Sequence, residues 1–74
     1  MKIKVVKFLA KPFVEIAFDE ENGTKLLGVP HDHGGSGHTR YYVISEVDFE
    51  RSLAAGEVFN GVHVGALYYS DFAG

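Results

Sequence analysis

The stretch EVDFERSLAA, residues 46–55, is the only part of the chain whose apolar spacing and punctuation read as a helix. Ser45 stands three residues before Asp48, a capping-box arrangement with Asp in place of Glu or Gln, and Gly56 follows where a left-handed cap is expected. Phe49 and Leu53 are four apart and define the face that should dock, with Val47 and Ala54 beside them. One helix of this length covers only one face of a sheet. Whatever the remaining segments build must therefore solve the problem of a second face by exposure, curvature or a partner.

The remaining apolar segments follow the strand period. KIKVVKFL, residues 2–9, is rich in β-branched and aromatic residues; PFVEIAF, residues 12–18, puts Val14, Ile16 and Phe18 on one side, with Pro12 at a permitted strand start. DEENG, residues 19–23, ends in an Asn-Gly pair suited to a turn with positive φ. TKLLGV (24–29) and TRYYVI (39–44) supply two further strands. EVFNGVHVGALYY, 57–69, reads as a loop followed by a single strand over 62–69; the alternative is a tight hairpin through Asn60-Gly61. Gly65 marks a bulge or a close approach. The order β-β-β-β-α-β predicts a small two-layer α+β domain, an antiparallel sheet of four to five strands with the helix packed on one face. Seventy-four residues leave room for one core, so 1–74 is read as a single domain with a flexible Gly/His loop at 30–38 and a frayed tail at 70–74.

Composition bounds the function more than it names one. Apolar residues are 46% and charged residues 23%, ordinary for a globular chain, and the lack of cysteine excludes disulfides and thiol chemistry. No apolar run approaches the roughly 18 residues of a membrane span, and the cytoplasm is the expected compartment. Residues 1–11 carry four lysines and no acid, while the rest carries ten acids against Lys25, Arg40 and Arg51. An acidic body argues against direct nucleic-acid binding, and lysines on a first strand are read as guards of a sheet edge.

Successive residues on a strand point to opposite faces, so Tyr41 and Tyr42, and likewise Tyr68 and Tyr69, are expected to place at least one ring of each pair outward. Tyrosine joins a large apolar ring to a hydrogen-bonding hydroxyl and is enriched at interfaces. These four tyrosines, with the acidic turn Asp19, Glu20 and Glu21, are the candidate partner-binding residues; a homodimer is an open alternative to a foreign partner.

The other concentration of chemistry is PHDHGGSGH, residues 30–38. His31, His33 and His38 are candidate ligands for zinc or another divalent transition metal, since neutral imidazole is the commonest metal ligand. The glycines raise the cost of ordering such a site. The glycine run leads into a strand rather than a helix, unlike a phosphate loop, and no catalytic motif is present, so an enzyme is not expected. A cysteine-free, acidic, single-domain α+β chain of about seventy residues resembles, at the level of class, the small inhibitors that phages use against host defence complexes, anti-CRISPR proteins among them. The resemblance implies a protein partner, such as a nucleic-acid-binding complex, blocked by surface occlusion without a cofactor. The alternative function is a small metal-binding protein or metal-dependent enzyme using the histidine loop.

Overall fold

The computed structural model describes residues 1–33 and 36–70. It is an α+β domain with β1 (Ile3–Leu9), β2 (Val14–Asp19), β3 (Lys25–His33), β4 (Ser36–Val43), α1 (Glu46–Ala54) and β5 (Leu67–Ser70). The five strands form one antiparallel sheet in the order β1-β2-β3-β4-β5, open at both edges. Each strand pairs with its neighbour in the chain, so the sheet is a meander. Among the described residues no helix is long and apolar enough to cross a membrane.

The alternation read from the sequence sorts onto two faces. On the helix side, Leu9, Val14, Ile16, Leu27, Ile44 and Phe49 form a buried cluster, with Phe18, Val29, Phe59 and Val62 packed against it. Ala17, Leu26 and Tyr41 form a second buried cluster on the opposite side, joined by Ile3, Val5, Val43 and Tyr68. The helix touches the sheet lightly. Phe49 meets Phe18 edge-on at 6.4 Å, and the Lys25 ammonium lies over both rings. Leu53, expected on the docking face, is instead exposed, and Ser52 is buried with Phe49 in its place.

The helix ends differ in how well the sequence announced them. Ser45 caps the start as expected, its hydroxyl accepting from the Asp48 amide at 3.0 Å. The expected left-handed Gly56 cap is corrected: the capping residue is Ala55 in extended conformation. The free carbonyls are taken by Lys7 of β1, whose ammonium donates to Ala55 O at 2.6 Å and Leu53 O at 3.0 Å. A cation on the last carbonyls also meets the negative end of the helix dipole. Lys7→Ala is expected to cost about 1 kcal/mol, on the scale of such dipole and capping contacts, and to loosen α1 before the sheet. Amide exchange across 46–55 checks this; equal protection in both proteins would show that packing alone holds the helix.

Two stretches depart from expectation. Residues 30–33 and 36–38, read as part of a loop, are strand: β3 and β4 stay in register through His31↔His38 and His33↔Ser36. Gly34 and Gly35 lie outside the described residues, as do 71–74 of the expected tail, while Ser70 ends β5. The second departure concerns 57–69, which is neither one strand over 62–69 nor a hairpin. Val58 makes an isolated parallel bridge with Ala10, Phe59 and Val62 pack onto the helix-side core, and the strand starts only at Leu67. A nine-residue helix leaves part of that core uncovered, and the apolar residues of this segment fill the gap instead of joining the ladder.

Candidate partner-binding face

The face away from the helix is concave. Tyr68 of β5 donates its hydroxyl to Asp19 at the end of β2, at 2.6 Å. In a flat sheet, strands three places apart are separated by about 14 Å, more than a tyrosine side chain spans, so the contact requires the sheet to curl toward this side. Small residues permit the curl: Ala17 and Gly28 stand at its middle, and a Cβ at Gly28 would lie 2.7 Å from Tyr41 Cε1. Glycine within a strand interior marks such a close approach.

Tyr41 is held across the sheet like a strut. It starts on β4, crosses Gly28 of β3, its register partner, and donates its hydroxyl to Glu15 Oε1 on β2 at 2.9 Å. Tyr69 pairs with Tyr41 and stacks beside it, ring centres 6.3 Å apart and planes 21° from parallel. Together with Ile3 and Met1 the two rings line an open cavity of about 260 Å³. Beyond it, at the β1–β2 end, Phe8 and Phe13 stack at 5.4 Å and are each more than half exposed, 53% and 54%.

The tyrosine pairs obey alternation in one case only. Tyr41 lies on the concave face and Tyr42, paired with Leu27, on the helix side. A register shift between β4 and β5 breaks the alternation at the second pair, so Tyr68 and Tyr69 both turn to the concave face. Tyr41 is buried and Tyr69 is 38% exposed; Tyr42 and Tyr68 are half-buried. The structure also brings in Phe8 and Gly28, which the sequence does not single out, beside Phe13 and Glu15, which strand alternation already sets opposite the core residues. The alternation of PFVEIAF places Phe13, Glu15 and Ala17 together opposite the core residues, and that was the available signal.

The acidic turn divides into two roles. Asp19 is fully buried, and its carboxylate accepts from the Lys2 and Glu21 amides, the Asn22 side chain and the Tyr68 hydroxyl. The expectation that Asp19 presents its charge outward is therefore corrected: all its hydrogen-bonding capacity points inward, where it ties the turn to β1 and β5. The Tyr68 hydrogen bond, followed by the Lys2 amide, holds its carboxyl well below the usual carboxylate range, against the opposing effect of burial. Glu20 and Glu21 are exposed. Glu20 pairs with Lys2 at 3.5 Å and with Lys4 at 4.0 Å, and Glu21 pairs with the Met1 amino group. The Asn-Gly turn forms as expected, with Gly23 at φ 75°.

Of the candidate metal ligands, His31 and His38 are brought together as a cross-strand pair with ring centres 5.3 Å apart, and His38 is buried. The side chain of His33 lies outside the described residues. Among the described residues no group of three or more His, Cys, Asp or Glu side chains gathers as a metal set would.

The sequence matches no protein-family model, and no curated protein or solved structure matches the chain.

Proposed function

We propose that the chain is a small protein-binding module that applies the concave face of its sheet to a partner. The observation that carries this is the exposed, stacked Phe8–Phe13 pair on the face that α1 does not cover, the face that also carries the stacked Tyr41 and Tyr69. In this reading α1 and the 55–66 segment form one covering layer and the partner forms the other. Contiguous apolar exposure with a polar surround is the usual mark of an interaction surface, and aromatic anchors supply most of the affinity when they enter a partner's pockets. The acidic balance, ten carboxylates against seven Lys and Arg, favours a partner with a basic surface, such as a complex that handles nucleic acid. Blocking that surface is inhibition by occlusion, the mode of phage inhibitors of host defence complexes, and needs no cofactor. The compartment that fits this reading is the cytoplasm.

The test is capture of partners from the native host with mass measurement of the complex, comparing the wild type with a Phe8→Ser/Phe13→Ser double variant. Both positions are exposed, so the fold is expected to survive. Loss of an aromatic anchor pair typically costs about 2 kcal/mol or more of binding, roughly thirty-fold in affinity. Val47→Ser, on the exposed side of α1, is expected to change nothing. Equal capture by the double variant, or loss of capture with Val47→Ser, would place the interface elsewhere. A complex whose mass is twice that of the chain would make the partner a second copy.

A further inference from the structure

We infer that the small cavity between the last turn of α1 and residues 60–62 binds a chloride-sized monovalent anion. Leu9 and Val62, which line it, belong to the helix-side core, so the site is separate from the docking face. Size sets the class of occupant. The cavity measures about 30 Å³, close to the roughly 30 Å³ that one water molecule occupies in the liquid, which is too little for a sulfate, a phosphate or an organic ligand. The occupant is a water molecule or a monatomic ion.

The lining decides between the two. Beside the apolar Leu9 and Val62, Arg51 brings a guanidinium, Ser52 a hydroxyl, Asn60 a side-chain amide and Gly61 a backbone amide, and no carboxylate is among the lining residues. Ser52 is only 6% exposed, yet among the described residues its hydroxyl has no hydrogen-bond partner, and neither have the Gly61 and Val62 amides. A buried hydroxyl left unpaired is costly, and an acceptor delivered to it removes that cost. Gly61 stands at φ 85°, left-handed backbone of the kind that lets successive amides converge on an anion. All of these groups can donate and one is a fixed cation, so a negative acceptor satisfies them together, whereas a water must also find acceptors for its two protons. Two opposing charges lie close by. Asp48 takes one Arg51 donor at 3.1 Å, which leaves the rest of the fork, and the negative end of α1 is met by Lys7 at the Leu53 and Ala55 carbonyls. A bound anion would join Arg51 and Ser52 of α1 to Asn60 and Gly61, tying the covering segment to the helix, and would add to stability by mass action because only the folded chain forms the cavity.

The experiment uses the full chain with chloride itself as the probe. Excess chloride-35 NMR line width is followed against chloride concentration, with methanesulfonate, too bulky for the cavity, holding the ionic strength constant. A saturable excess that bromide displaces is expected. Arg51→Gln, Ser52→Ala and Asn60→Ala should each weaken binding about ten-fold, the loss of one charge-assisted hydrogen bond. Arg40→Gln, which removes an exposed cation of β4, should leave it unchanged. No saturable excess, or an equal loss with Arg40→Gln, overturns the site in favour of diffuse counter-ions. If Ser52→Ala does not fold, Asn60→Ala, at an exposed loop position, carries the test, and full binding by that variant overturns the assignment. A crystal grown in bromide should place its anomalous scattering in this cavity; an ordered water there instead would show that the space serves hydration alone.

Discussion

Gly28→Ala is expected to destabilise the protein by about 1–3 kcal/mol, although it adds only one methyl group to a strand. Glycine in a strand interior ordinarily costs about 0.5–1 kcal/mol relative to alanine, so the substitution should help wherever space allows. Here it does not. The added Cβ would lie 2.7 Å and 3.0 Å from two carbons of the Tyr41 ring and 3.2 Å from Glu15 Cβ. The ring has little freedom to retreat, being buried, stacked on Tyr69 and tied to Glu15 through its hydroxyl. The clash therefore outweighs the backbone gain. Urea denaturation should show a lower midpoint with an unchanged slope. The decisive comparison is the same substitution in a Tyr41→Ala background, where the ring is gone and Gly28→Ala should become neutral or stabilising by up to about 1 kcal/mol. An equal cost in both backgrounds would mean that the strut across Gly28 is not what the glycine serves.

That strut shows where reading the sequence stops. Alternation in PFVEIAF correctly separates Val14, Ile16 and Phe18 from Ala17, because two-residue periodicity is a local property of extended chain. It carries no information about curvature. Curvature arises from the match of Gly28 and Ala17 on two strands with Tyr41 on a third, a relation among residues up to 24 positions apart that no local window contains. The β4–β5 bulge is hidden for the same reason: Tyr68 and Tyr69 are assigned opposite faces by period, and only the pairing with Tyr41 and Tyr42 reveals that they share one.

The histidine stretch and the 57–66 segment failed in opposite directions. Glycine content suggests a loop over 30–38, yet β3 runs to His33 and β4 starts at Ser36, with His31 and His38 in register. Apolar alternation suggested a strand at 62–69, yet Phe59 and Val62 are needed as cover for a core that α1 is too short to close. In both cases composition was legible and its use was settled by what the neighbouring elements left undone. The candidate site was legible in part: the tyrosines were visible as paired aromatics, whereas Phe8 and Glu15 acquire meaning only once β1 and β4 are placed on either side of β2.

Asp19 carries the second large effect, and its pH dependence separates structure from surface charge. A carboxyl held below its ordinary value in the folded chain stabilises that chain at every pH above the unfolded value, near about 3.9 for Asp, and the contribution drains away as pH falls below it toward the folded value. Thermal midpoints are therefore expected to be flat near neutrality and to fall steeply below about pH 4. Asp19→Asn should lower the midpoint at neutral pH, because it turns one of the two accepting oxygens into an NH2 donor facing either the Lys2 and Glu21 amides or Asn22 and Tyr68. It should also flatten the acid slope. Glu20 and Glu21 sit in exposed ion pairs that contribute little to stability, so the difference between wild type and variant isolates Asp19. Tyr68→Phe removes the 2.6 Å donor alone and should leave a shallower slope than wild type while the turn itself persists. An Asp19→Asn protein whose midpoint falls with acid as steeply as the wild type would show that another carboxyl governs the transition and that the β2–β5 tie is not what holds the concave face in shape.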